Sequence, residues 1–445
     1  GMIEQGMAWW QAVLTVAVGN CIVLIPMVLN GHAGAKYGIP FPVLMRASFG
    51  TVGGNIPALA RALVACGWFG IQTWIGGFAV YQVIGALGWI DVASDVATNM
   101  TRLGLTPAQG LCFLLFWSAN VFFIWNGISA IKWLQSAAAP FLILAGLGLL
   151  AWAIWKVDSV SALFSQDSRF ATPSDFWRAF WPQLTAMVGF WATLSLNIPD
   201  FTRFARSQRA QIWGQAIGLP PTMTLFCFIG IMVTSATVLI FGTAIWDPVT
   251  LIIRFGSAPT IVVSLLALSV ATLTTNLAAN VVSPANDFAN LAPRRISYRA
   301  GGMITAAIGI LMMPWYLYNN LSAYIFTWLI GYSALLGPIA GIMLCDYYIL
   351  RRTRLNVDAL YQAHGEYRYT RGVNWRAVAA LALAVLPNLP GFIHAASGSK
   401  GIFPAVFDTI YGYAWFVGLL LGGLLYWMLM GGRPAVESAT RAGLR

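Results

Sequence analysis

Two side chains capable of ring recognition stand inside an apolar stretch of this sequence, Trp68 and Gln72 within Gly67–Trp74. Residues four apart share one face of a helix, so the indole ring and the amide are expected side by side. An amide both donates and accepts hydrogen bonds, which suits a flat heterocycle carrying N–H and C=O groups. Tryptophan alone can also serve packing, and the chain holds 20 of them. The amide favours a binding role, because an unpaired amide in hydrocarbon is costly.

A second stretch joins aromatic rings to residues that interrupt a helix. Gly189, Phe190 and Trp191 are followed by Asn197 and Pro199. Glycine permits a break, and proline ends a helical segment. Membrane proteins with inverted repeats form their midplane sites at helices interrupted by Gly or Pro. This stretch is therefore a second candidate for ligand binding.

A third stretch, Ala271–Asn280, carries three threonines and two asparagines within nine residues. Hydroxyl and carbonyl oxygens suit a hard cation such as Na⁺. Threonine in membrane helices also bonds back to its own backbone, which is the alternative interpretation. The density of polar residues exceeds what helix packing needs. We therefore interpret this stretch as a polar interruption of a helix and a candidate cation site.

Motifs of hydrolytic or metal-dependent enzymes do not occur in the sequence. There is no GxSxG, HExxH or Walker loop, and the three histidines are scattered. The five cysteines form no CxxC pair, so we interpret them as small buried hydrophobic residues without disulfides. They are Cys21, Cys66, Cys112, Cys227 and Cys345. We expect neither enzymatic activity nor an organic cofactor; a channel and a membrane-embedded enzyme are the alternatives from other functional classes.

Composition places these stretches in a membrane. Of 445 residues, 59% are hydrophobic and only 9% are charged, far less charge than a soluble surface needs. Apolar runs of about 18 residues or more recur, as bilayer-spanning helices require. They lack the alternation of barrel strands, so an all-α multi-pass protein is predicted. The net charge is +11, and the basic residues cluster in short loops between apolar runs. This distribution indicates a bilayer rather than a nucleic acid as partner.

Eleven membrane spans are predicted, without a soluble domain between them. Their approximate bounds are Met7 to Asn30, Ile56 to Leu87, Pro107 to Ile128, Trp133 to Trp155, Phe180 to Asn197, Ala216 to Gly242, Ala258 to Asn280, Ala300 to Leu317, Leu321 to Ile349, Trp375 to Phe392 and Pro404 to Met430.

Basic residues orient these spans, because cytoplasmic loops carry excess Lys and Arg. Numbering the loops alternately places eighteen basic residues on one side and six on the other. The C-terminus is therefore expected in the cytoplasm, and the protein in the cell (inner) membrane. Residue 1 falls outside, which is unusual without a signal sequence. We expect that one N-terminal helix has been lost from this sequence; a true eleven-span protein is the alternative.

Several motifs in order resemble the nucleobase:cation symporter-1 family: Asn30 to Gly50, Gly67 to Thr73, Asn197 to Arg203, and Asn276 to Pro284. The resemblance implies a LeuT-type inverted-repeat transporter forming a single domain over 1–445. Residues 7–197 would hold the remainder of the first repeat and the start of the second. Residues 216–349 would complete the second repeat, 375–430 would form two C-terminal helices, and 431–445 a cytoplasmic tail. The segment missing before residue 1 would be the family's first helix.

The resemblance also implies roles for individual residues. Trp68 and Trp191 match two tryptophans that sandwich the ligand ring, and Gln72 and Asn280 match amides at its polar edge. The backbone carbonyl of Ala271 and the hydroxyls of Thr274 and Thr275 match a Na⁺ site, to which the first helix adds two carbonyls. Leu329 matches a hydrophobic outer gate. Phe190 departs from the family, because a glycine stands beside that tryptophan in the hydantoin transporter.

Together these features predict cation-coupled uptake of a planar heterocycle such as a nucleobase, allantoin or a hydantoin. Na⁺ is the expected coupling ion. The protein is expected to function as a monomer. Two transport alternatives stay open. One is a proton-coupled nucleobase permease, and the other is a LeuT-type transporter for amines or amino acids.

Overall fold

A computed structural model describes residues 1–126, 143–318, 320, 323–362, 364–398 and 402–431. This part of the chain is helical and contains no strand, only an isolated bridge between Thr370 and Val373. Its α-helices are α1 (Trp9–Tyr37), α2 (Phe41–Phe49), α3 (Asn55–Ala86), α4 (Val92–Thr98), α5 (Pro107–Asn126), α6 (Ile143–Lys156), α7 (Val160–Phe164), α8 (Pro173–Phe190), α9 (Ala192–Asn197), α10 (Pro199–Thr202), α11 (Gln208–Gly218), α12 (Pro220–Phe241), α13 (Pro248–Ile252), α14 (Ala258–Asn280), α15 (Val282–Leu291), α16 (Tyr298–Leu311), α17 (Pro314–Tyr318), α18 (Ile330–Leu344), α19 (Val357–Leu360), α20 (Trp375–Val385), α21 (Leu389–Ser397), α22 (Val406–Gly412) and α23 (Ala414–Leu429).

Seven helices in the described residues are long and apolar enough to cross a membrane, or eight if α22 and α23, bent by 87°, count as one span. Two shorter apolar helices, α6 and α16, fall where predicted spans four and eight lie. The all-helical multi-pass class is confirmed, whereas the number eleven stays a prediction. The first part of the span Trp133 to Trp155 lies outside the described residues, as does nearly all of the predicted tail 431–445.

The chain divides into two compact units. The first unit is Gly1–Val13, Ala62–Pro173 and Leu225–Leu321, and the second unit is Leu14–Arg61, Ser174–Thr224 and Ser322–Arg445. The first unit contains Trp68, Gln72 and the stretch Ala271–Asn280. The second unit contains the stretch with Phe190 and Trp191, and also Leu329.

Glycines set the close helix contacts of the first unit. A Cβ on Gly70 of α3 would lie 2.5 Å from the carbonyl oxygen of Gly309 in α16, so the two backbones touch there. A Cβ on Gly301 of α16 would overlap the carbonyl oxygen of Ala285 in α15. Small residues allow such close approach between membrane helices.

In the second unit α18 packs closely against α23. A Cβ on Gly341 of α18 would overlap the carbonyl oxygen of Leu419 in α23. From the other side, a Cβ on Gly422 would lie 2.5 Å from the carbonyl oxygen of Pro338. Glycine on both helices therefore fixes their separation.

The contact at Gly341 gives a stability prediction. Gly341→Ala must push α18 and α23 apart, and overpacking of this kind costs about 1–3 kcal/mol. We expect a lower melting temperature for the purified protein in detergent. Gly230→Ala is the matched control, because Gly230 lies inside α12 and no described atom lies within 4 Å of the position that a Cβ would take there. Equal melting temperatures for the two variants would contradict the contact.

Candidate functional site

The rotation of α3 decides where Trp68 and Gln72 face. Gly70 touches α16, and residues two apart on a helix are about 200° apart around its axis. Trp68 and Gln72 therefore share the side of α3 that faces away from α16. Trp68 is 8% exposed and Gln72 is half-buried. The Gln72 amide has no hydrogen-bond partner in the described part of the chain.

Trp74, the other tryptophan of this stretch, has a packing role. Its ring stacks on Phe78 at 5.7 Å between centroids, with 19° between the planes. It also packs with Phe113 and Trp315 in an apolar cluster and is 2% exposed. The structure thus separates two tryptophans that the sequence alone presents alike.

Asn276 of α14 is the centre of a buried polar cluster in the first unit. Its Nδ2 lies 3.2 Å from the carbonyl oxygen of Phe69, 3.2 Å from Thr73 Oγ1 and 3.1 Å from Asn120 Oδ1. These partners belong to α3 and α5, so one amide joins three helices. No role was predicted for Asn276, Thr73 or Asn120 from sequence. Asn276 lies within the polar stretch Ala271–Asn280, whereas an isolated asparagine such as Asn120 gives no such signal.

Asn280 lies at the last residue of α14, one turn after Asn276. Its Nδ2 donates to Asn276 Oδ1 at 3.0 Å, and the residue is 9% exposed. Ala271–Asn280, expected to interrupt the helix, is instead regular helix. The break follows at Val281, with φ −112° and ψ −47°, before α15 begins. The prediction of an interruption inside this stretch is therefore wrong, because the helix runs to its end and breaks directly after it.

Two of the three candidate cation ligands come together in α14. Thr274 Oγ1 donates to the carbonyl oxygen of Ala271 at 2.7 Å, and both residues are buried. Rotation of the hydroxyl hydrogen away from the carbonyl would leave two hard oxygens facing one point, a donor set that fits Na⁺. The side chain of Thr275 is exposed in the described structure.

In the second unit, Trp191 occupies a break between two helices. α8 ends at Phe190 and α9 begins at Ala192, and Trp191 itself has φ −102° and ψ 2°. The rings of Phe190 and Trp191 meet edge to face at 5.3 Å. Both side chains are half-buried, so the break leaves part of each ring accessible.

Leu329 lies close to this break within the second unit. It ends a π-helical segment, Ala323–Leu329, and is 6% exposed. Ser333 Oγ donates to the Leu329 carbonyl oxygen at 2.6 Å. A Cβ on Gly189 would overlap Ser333 Oγ and lie 3.0 Å from that same carbonyl oxygen. Gly189 therefore allows the end of α8 to pack directly on the segment that carries Leu329.

A cavity of about 490 Å³ lies inside the first unit, at the C-terminal end of α3. None of the residues proposed from sequence lines it. Its wall is mixed aromatic and polar, formed by Glu4, Trp74, Phe78, Tyr81, Gln82, Val92, Val96, Met100, Gly104, Gln109, Ala244, Ile245, Trp246, Asp247, Thr250 and Tyr318.

Comparison with known proteins adds to this geometry. Residues 1–418 match the family model described as permease for cytosine/purines, uracil, thiamine, allantoin. The chain is 44% identical over 431 residues to a purine-uracil permease of Arabidopsis thaliana, covering 96% of this chain and 71% of the relative. It is 40% identical over 455 residues to an allantoin permease of Bacillus subtilis, covering 100% of this chain and 89% of the relative.

Among solved structures, the chain is similar to Mhp1, a nucleobase-cation-symport-1 family transporter, in a closed conformation with bromovinylhydantoin bound. The TM-score is 0.76 at 27% identity, covering 97% of this chain and 87% of the other. The predicted LeuT-type inverted-repeat fold is thereby confirmed.

The packing of Gly189 generates a prediction. Gly189→Ala should lower the free energy of unfolding by about 1–3 kcal/mol, because the new methyl group collides with Ser333 Oγ. Combining it with Ser333→Ala should recover part of the loss, since the colliding oxygen is then gone. Thermal unfolding of the two single variants and the double variant measures this coupling.

Gly214→Ala serves as the control in the same unit, because no described atom lies within 4 Å of a Cβ there. Additive effects of the Gly189 and Ser333 substitutions would show that the two residues are not packed together.

Proposed function

The chain belongs to the family of permeases for cytosine and purines, uracil, thiamine and allantoin, and on that premise we propose that it is a cation-coupled symporter of a planar heterocycle. Like its permease relatives, it is a multi-pass membrane transport protein and not an enzyme. The proposed substrates are nucleobase-like rings or hydantoin- and allantoin-like rings, carried by alternating access. We propose that the protein acts as a monomer in the cell (inner) membrane with its C-terminus in the cytoplasm.

One observation carries the choice of a heterocycle. In the first unit, the Gln72 amide and the Oδ1 atom of Asn280 have no partner among the described residues. They belong to helices that are joined directly, since Asn276 bonds to the carbonyl oxygen of Phe69, the residue next to Trp68. An aromatic face that shares its side of α3 with an amide, on a helix joined to the one that carries Asn280, suits a flat ring with N–H and C=O groups. Stacking would add about 0.5–1.5 kcal/mol beyond burial of the ring.

The second unit supplies further proposed contacts. We assign Trp191 as a second ring-binding residue, with Phe190 beside it, and Leu329 as the hydrophobic gate. The family resemblance supports these roles, and so does the accessible helix break at Trp191. Phe190 stands where the hydantoin transporter that the chain resembles has glycine. Its ring would restrict access of a ligand to the backbone there, and would add apolar contact instead.

We propose Na⁺ as the coupling ion, bound by the Ala271 carbonyl and the hydroxyls of Thr274 and Thr275. Oxygen ligands of this kind are what a hard cation takes, and the solved relative belongs to a family named for nucleobase–cation symport. A bound cation that favours one conformation would couple its gradient to the substrate by shifting populations. Hydroxyl groups do not titrate near neutral pH, which favours Na⁺ over a proton at these positions.

Trp68→Ala tests the substrate site. Loss of the stacked ring should reduce heterocycle affinity at least about tenfold, in keeping with roughly 1.4 kcal/mol of lost stacking and burial. The measurement is thermal stabilisation by uracil, allantoin and hydantoin, together with uptake of the radiolabelled ligand that binds, in proteoliposomes. Trp68→Phe should retain most of the affinity.

Trp10→Ala is the matched control, because Trp10 is 53% exposed and has no proposed contact with substrate. Uptake by Trp68→Ala at the level of the native protein would remove Trp68 from the site.

Thr274→Val tests the coupling ion. The substitution keeps the shape of the side chain but removes the hydroxyl, so the Na⁺ concentration for half-maximal uptake should rise at least about tenfold. Thr274→Ser keeps the hydroxyl and should behave like the native protein. Uptake is compared in Na⁺ and in choline buffer at fixed pH. Full uptake in choline buffer that depends on a pH gradient would identify proton coupling instead.

A further inference from the structure

Two main-chain carbonyl groups set the direction of the polar cluster around Asn276. A carbonyl oxygen can only accept a hydrogen bond. Thr73 Oγ1 lies 2.7 Å from the carbonyl oxygen of Phe69, so the hydroxyl donates there and can only accept elsewhere. Asn120 Nδ2 lies 2.9 Å from the carbonyl oxygen of Phe116, so Asn120 Oδ1 points to the other side as an acceptor.

These constraints fix the orientation of the Asn276 amide. Its nearest polar neighbours in α3 and α5 are the Phe69 carbonyl, Thr73 Oγ1 and Asn120 Oδ1, and all three accept. The amide nitrogen must face them, because an oxygen in its place would meet three acceptors. Asn276 Oδ1 therefore faces away and accepts from Asn280 Nδ2 at 3.0 Å.

The orientation of the Asn276 amide determines the orientation of the Asn280 amide. With Nδ2 donating to Asn276, the Oδ1 atom of Asn280 is left without a partner among the described residues, in a side chain that is nine-tenths buried. A reversed Asn280 amide would bring two oxygens together about 3 Å apart. Reversal would also require Asn276 to turn, and then all three of its bonds to α3 and α5 would be lost.

We propose that Asn276 is a positioning residue that holds Asn280 with its carbonyl oxygen toward the substrate, so that the site selects a ring N–H at this edge. The proposal rests on the proposed function and specifies the substrate further. The preferred heterocycle carries a lactam or ureide N–H opposite Asn280. Rings in which that nitrogen is alkylated should be rejected, because the bound ring would cover the Asn280 acceptor without offering it a donor.

The experiment compares affinities rather than uptake alone. Uracil, allantoin and hydantoin are tested on the purified native protein, and each parent that binds is compared with its singly N-methylated derivatives. The quantity of interest is the ratio of dissociation constants, methylated over parent. For at least one ring nitrogen this ratio should be about tenfold or more in the native protein.

Asn276→Ala should lower that ratio to below about threefold, because Asn280 can then present either end of its amide. A purely structural defect would weaken both ligands equally and leave the ratio unchanged. Should Asn276→Ala fail to fold, Thr73→Val removes one of the acceptors that orient Asn276 and should lower the ratio partly, whereas Thr73→Ser should preserve it. Asn126→Ala is the matched control on α5, because Asn126 is exposed and, among the described residues, its side chain bonds only to the Phe122 carbonyl oxygen.

Each outcome is decisive. A native protein that binds a parent ring but gives ratios near one for every nitrogen contradicts the proposal, and so does a ratio that Asn276→Ala or Thr73→Val leaves unchanged. In both cases the proposed function stands, because the parent still binds. A native protein that binds none of the three rings contradicts the proposed function and this proposal together.

Discussion

The side-chain amide of Asn276 is the interaction on which the interior of the first unit depends. It connects α14 to α3 and α5 through residues 207 and 156 positions away in the chain, respectively. Around it the helices are apolar, so an amide left unpaired would cost roughly 1–3 kcal/mol on the scale of protein substitutions. Here that cost is avoided, because the two amide hydrogens have three acceptors within reach and the oxygen accepts from Asn280. The same bonds that hold three helices in register also determine which atom Asn280 offers.

Part of this arrangement could be predicted from sequence, because it depends on short spacing. Ala258 to Asn280 is one predicted span, and α14 has those bounds. The shared face of the indole ring and the amide in α3 likewise follows from a spacing of four residues. The partners of Asn276 could not be predicted. The apolar sequence around Asn120, for example, does not indicate that this residue contacts α14. The misplaced interruption has a local cause: the Thr274 hydroxyl finds its acceptor within the helix, at the Ala271 carbonyl, so this polar residue does not require a break.

Glycine is the residue whose role the sequence specifies least. Gly189 is predicted to permit a helix break, but it lies inside α8 and the break comes two residues later, at Trp191. Its lack of a side chain serves contact with Ser333 instead. A sequence shows that a glycine is present, but not whether the backbone bends there or another helix approaches. The role of Gly189 is set by the residue that packs against it. That residue, Ser333, is distant in the chain.

Hydrogen-bond satisfaction separates residues that build the first unit from residues that can bind a ligand. Thr73 and Asn120 both direct a donor to a backbone carbonyl, so the fold accounts for them. The Gln72 amide and Asn280 Oδ1 have no such partner among the described residues, and Gln72 shares its face of α3 with Trp68. Because the fold of the described residues does not use these two groups, both stay available to hydrogen-bond a ligand that carries N–H and C=O groups. A flat ring with an N–H toward Asn280 would provide such a partner. The orientation of the Asn280 amide therefore bears directly on the identity of the substrate.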